Sequence, residues 1–101
     1  MRLTQGLLMN LDKARKRIEK HVKKGERGYP LIALCYSGET ADCATQVAIQ
    51  FIAEEGAEPQ EQTFTAKTDV RKDEVIQTTV LKIIERAEAN TVTETESVAV
   101  I

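Results

Sequence analysis

Apolar residues recur at three- and four-residue steps over the first part of the chain, at Leu7, Leu11, Ala14, Ile18 and Val22, which predicts an amphipathic helix. Gly25 is placed to cap that helix, and residues 25–28 lead through Tyr29 and Pro30 to an apolar run. That run, residues 31–36, has the continuous hydrophobicity of a central strand. Ala41, Ala44, Val47, Ala48, Phe51 and Ile52 again step by three and four and predict a helix ending at Gly56. Over residues 61–67, Phe64 and Ala66 alternate with Thr63 and Thr65, the pattern of a half-exposed or edge strand. Asp69 or Asp73 starts the next helix, with apolar positions Ile76, Val80, Ile83, Ile84 and Ala87 and a stop at Asn90. Residues 91–96 form a polar spacer, and residues 97–101 form a last short strand or a tail.

These segments predict a small single α/β domain in the order helix-strand-helix-strand-helix-strand. About three strands, parallel or mixed, carry helices packed on the sheet. The chain divides into a basic amphipathic helix at 1–28, an α/β core at 29–90 and a spacer with a terminal strand or tail at 91–101. A length of 101 residues fits one domain, and with two Phe, two Tyr and no Trp the core rests on Ile, Leu, Val and Ala. So modest a core favours self-association.

Composition removes several classes of function. No apolar stretch approaches a membrane span, and the first residues lack a signal peptide's apolar block and cleavage site, so the expected location is cytoplasmic and no membrane partner is expected. Cys35 and Cys43 lie in or beside apolar segments and are expected to be reduced and buried. His21 is the only histidine and has no metal-ligand spacing to either cysteine. Neighbouring carboxylates such as Glu54 and Glu55 diverge on a helix and make no acid/base couple. The expectation is a nonenzymatic protein, with no catalytic residue, metal or cofactor.

Charge is unevenly spread. Residues 1–28 hold nine Lys or Arg against three acids, a balance of +6, and residues 29–101 hold five against thirteen, a balance of −8. Among the basic residues of the first helix, Lys13, Arg15, Lys16, Arg17, Lys20, Lys23 and Lys24 fall mostly off the apolar stripe. Lys13, Lys16, Arg17, Lys20, Lys23 and Lys24 are the candidates for contact with a nucleic-acid backbone, although no aromatic residue is interleaved for base stacking.

The turn after the first strand supplies a second candidate. Ser37, Gly38, Glu39 and Thr40 separate an apolar run from the helix expected to follow, whose N-terminus would offer free N–H groups and a positive dipole end to an anion. Residues 32–57 resemble the phosphosugar-binding segment of sugar-isomerase (SIS) domains, with Cys35 standing where that family usually has its first loop serine. The resemblance implies that the hydroxyls of Ser37 and Thr40 and the N–H groups of Gly38, Glu39 and Thr40 hold a sugar phosphate. The expected function is a small nonenzymatic interaction module, homo-oligomeric and able to contact protein partners. RNA binding through the basic helix and phosphosugar or anion binding at residues 37–40 are the alternatives.

Overall fold

The computed structural model describes residues 2–95 and 97–100, with side-chain surroundings from residue 11 onward; Leu7 of the expected stripe and Ile101 of the expected terminal strand lie outside that description. The elements are α1 (Arg2–Lys23), β1 (Leu31–Gly38), β2 (Gln46–Ile52), β3 (Gln60–Thr65), a single 3-10 turn (Val70–Lys72), α2 (Glu74–Ala87), β4 (Thr91–Glu94) and β5 (Ala99–Val100). The sheet order is β3-β2-β1-β4, with β5 pairing the far end of β1. β1–β2 and β2–β3 are antiparallel, whereas β4 and β5 run parallel to β1. The α/β class holds, but there are five strands instead of about three, and the order is helix-strand-strand-strand-helix-strand-strand.

The largest correction is β2, expected as a helix over residues 41–56. Its sequence also satisfies a two-residue period: Val47 and Ile49 are buried and Phe51 is half-buried on one face, while Gln46, Ala48 and Gln50 occupy the other. β-branched and aromatic residues at every second place pack well on a pleated surface, and pairing with two neighbouring strands decides between the two periods. The expected spacer at 91–96 likewise contains β4, because Thr91, Val92, Thr93 and Glu94 find β1 as a partner.

Both helices cover the same sheet face. Ile32, Leu34 and Tyr36 of β1 point toward them and meet Phe51, Ile49 and Val47 across the ladder. Ala14 and Ile18 of α1 and Ile76, Val80, Leu81 and Ile84 of α2 complete this core. The opposite face carries Leu31, Ala33, Cys35, Ala48, Gln50 and Ile52, none of them fully buried.

The helix ends follow local chemistry. The Gly25 N–H donates to the Val22 carbonyl at 3.2 Å, and a φ of 74° gives the left-handed cap that glycine adopts without a Cβ clash. Asp73 caps α2 by accepting from the Ile76 N–H at 3.0 Å. Gln77, fully buried, donates through Nε2 to the Val70 carbonyl at 2.9 Å and ties α2 to the preceding turn.

Candidate functional site

The three-dimensional structure separates the basic residues of α1 into two groups. At 100° per residue, Lys13, Lys16, Arg17, Lys20, Lys23 and Lys24 fall within an arc of about 120°. All six are exposed, on the side away from Ala14 and Ile18. Ten residues of helix separate Lys13 from Lys23, a stripe about 15 Å long, and Lys24 follows in the turn that ends α1. Lys16 pairs with Asp12 at 3.1 Å, and Arg17 approaches Glu85 of α2 at 4.0 Å, both in solvent where such pairs are worth little. Among the described side chains, Lys13, Lys20, Lys23 and Lys24 have no carboxylate within ion-pair distance.

Arg15, expected among the outward cations, turns inward. Its Nη1 donates to Gln77 Oε1 at 2.8 Å, to Glu94 Oε2 at 2.9 Å and to Tyr36 Oη at 3.3 Å, while Nη2 reaches Glu94 Oε1 at 3.4 Å. The Tyr36 hydroxyl donates to Glu94 Oε2. One guanidinium thereby joins α1, β1, α2 and β4. Burial works against the Arg15 charge, but the hydrogen bond and field of Glu94 hold its pKa above the usual arginine value. Burial and the bond to Glu94 push the Tyr36 phenol up to about 12, so it remains a protonated donor at neutral pH. The cluster was missed in the sequence because its members are far apart along the chain. One local signal was present: Arg15 lies four residues from Leu11 and three from Ile18, inside the apolar stripe.

Residues 37–40 have a different setting from the one expected. Ser37 and Gly38 are the last residues of β1, and Ser37 pairs with Gln46 on one side and Ala99 on the other. Thr40 makes an isolated bridge to Cys43, and the chain then enters β2, so no helix N-terminus forms at Thr40. Gly38 is needed for packing, since a Cβ there would lie 2.1 Å from the Cys43 carbonyl oxygen. The loop is held from below by the Ala66 N–H on Thr45 O at 2.9 Å and the Val70 N–H on Ala44 O at 2.7 Å. Asp69 takes a bidentate hold on Arg71, at 2.9 Å and 2.6 Å, and Arg71 in turn reaches the Asp42 carbonyl at 3.4 Å. The Arg71 guanidinium beside it lowers the Asp69 carboxyl to about 2.

The cysteines also depart from expectation: Cys35 is exposed on the open sheet face and Cys43 is half-buried, both as free thiols. Cys35 alternates with the buried Leu34 and Tyr36, so the strand's pleat turns it away from the core. Among the described residues, no group of three His, Cys, Asp or Glu is arranged to hold a metal ion, and no helix is long and apolar enough to cross a membrane. The chain matches no protein-family model, curated protein or solved structure to which it was compared.

Proposed function

We propose that this protein is a nonenzymatic cytoplasmic binding module that docks on the phosphate backbone of RNA through the outer face of α1. The observation carrying this reading is the exposed stripe formed by Lys13, Lys16, Arg17, Lys20, Lys23 and Lys24. Arg15 satisfies the carboxylate beneath the helix, and of the six outer cations only Lys16 and Arg17 have a carboxylate within ion-pair distance among the described side chains, both in solvent. A row of cations attracts phosphates and releases their counterions whatever the base sequence. The outer arc has no aromatic residue on which bases would stack, so the recognition is of backbone and charge. The acidic remainder of the chain confines binding to this side by repelling phosphate elsewhere.

The test is fluorescence anisotropy with a labelled mixed-sequence RNA at low and moderate salt. Wild-type protein binds at low salt and weakens steeply as salt rises, and replacing the six cations with Gln lowers affinity at least about tenfold while the thermal transition stays in place. Equal affinity of wild type and the Gln variant would exclude α1 as the contact surface.

A further inference from the structure

β3 is the outer strand of the sheet, and among the described residues no strand pairs with its free side. Natural sheet edges are commonly blunted by Lys, Pro, a bulge or a covering segment. Gln60–Thr65 contains neither Lys nor Pro and keeps an unbroken one-to-one register with β2. On its helix-facing side lies a groove of about 620 Å³ between β2, β3 and α2, lined by the apolar Ile49, Phe51, Ile83 and Ala87 and also by the charged Glu61 and Arg86, with Gln60 and Gln62 on the β3 side. The exposed backbone calls for an extended strand, and the groove for an apolar side chain beside it.

We infer that β3 pairs with β3 of a second copy of this chain, antiparallel about a two-fold axis at Gln62. Directly opposed residues of antiparallel strands share a face, so a self-paired β3 must place its axis at a residue rather than between two. With the axis at Gln62, each Gln62 amide meets its own copy and offers both the donor and the acceptor the other needs. Glu61, the only charge in the strand, meets the second copy's Thr63 and is not opposed by another Glu61. Gln60 meets the second copy's Phe64. Because Gln60 already pairs with Phe51, that Phe64 joins the row at the mouth of the groove, and the arrangement repeats across the axis.

This self-complementarity selects a second copy over an unrelated strand: polar amide meets polar amide, the charge is spared, and each copy brings an aromatic ring to the other's groove. The axis stands perpendicular to the sheet, so the two α1 helices lie on the same side of the continuous sheet. The inference is independent of RNA binding.

The test is sedimentation equilibrium of the full chain from micromolar to millimolar concentration, with Q62K, Q62E and their equimolar mixture. Gln62 is exposed, so both substitutions leave the core untouched, which circular dichroism checks. Wild type forms a dimer whose population rises with concentration, each variant alone raises the dissociation constant about tenfold or more, and the mixture recovers the dimer through a Lys–Glu pair. A wild-type monomer throughout, undiminished dimer in Q62K, or a mixture no tighter than its components would overturn the inference.

Discussion

The inner face of α1 sets a single arginine into the body of the protein, while the outer face holds six cations in solvent. Both faces are basic, and their physical roles diverge because of what each one meets. Arg15 has Glu94, Tyr36 and Gln77 within reach and is three-quarters covered, so its charge fastens the helix to the sheet. The outer residues meet water and weak surface pairs, so their charge contributes little to the fold and remains available to a ligand. Placement on the helix therefore separates the charge that anchors the fold from the charge left in solvent, and each side can be altered with little effect on the other.

The largest expected effect comes from the apolar part of the inner face. Ile18 is fully buried against the core, and Ile18→Ala is expected to cost about 2–5 kcal/mol, read as a lower denaturation midpoint with an unchanged slope. The anchor comes next. Glu94→Ala leaves Arg15 and the Tyr36 hydroxyl without their shared acceptor and is expected to cost about 2 kcal/mol. Arg15→Met combined with Glu94→Leu is expected to cost less than the sum of the two single substitutions, because neither charge is then left without its partner, although the buried Tyr36 hydroxyl and Gln77 Oε1 still lose theirs; a double-mutant cycle in urea measures the coupling.

Acid tests whether a second anchor, remote from α1, behaves alike. The folded pKa of Asp69 is lowered from 3.8 to about 2, so its stabilisation is complete above its unfolded value and is lost as pH falls from about 4 toward 2. Asp69→Asn is expected to remove about 2 kcal/mol at neutral pH and to flatten the stability curve across that window, as followed by urea titrations at stepped pH. The smallest effect belongs to the outer face: single Gln substitutions at Lys13, Lys20 or Lys24 should change stability by less than about 0.5 kcal/mol. A large loss at any of these would mean that the two faces are not separable.

The two long helices and β1 were legible from the chain because each has a sustained pattern and a local stop: Gly25 after α1, Asp73 before α2, Pro30 before β1. β2 was not, because Val47, Ala48, Phe51 and Ile52 satisfy a helical step while Val47, Ile49 and Phe51 satisfy a strand step, and only the flanking strands settle the choice. β4 is four residues long and Thr-rich. Its identity depends on β1 and on Thr91, whose hydroxyl donates to the Gly28 carbonyl at 2.7 Å and accepts from the Arg27 N–H at 2.8 Å, contacts invisible to a local window. At the candidate site, the six outward cations were readable from helical angle alone. The inward turn of Arg15 needed Glu94, seventy-nine positions away.

The most direct measurement is the slope of log affinity against log salt for a single-stranded RNA, in wild type and in the variant with Gln at all six outer cations. If those six cations each neutralise a phosphate, the wild-type slope is about −4, from roughly −0.7 per phosphate, and collapses toward zero in the variant. A wild-type slope near zero, or one that the six substitutions leave unchanged, would contradict docking through the outer face of α1.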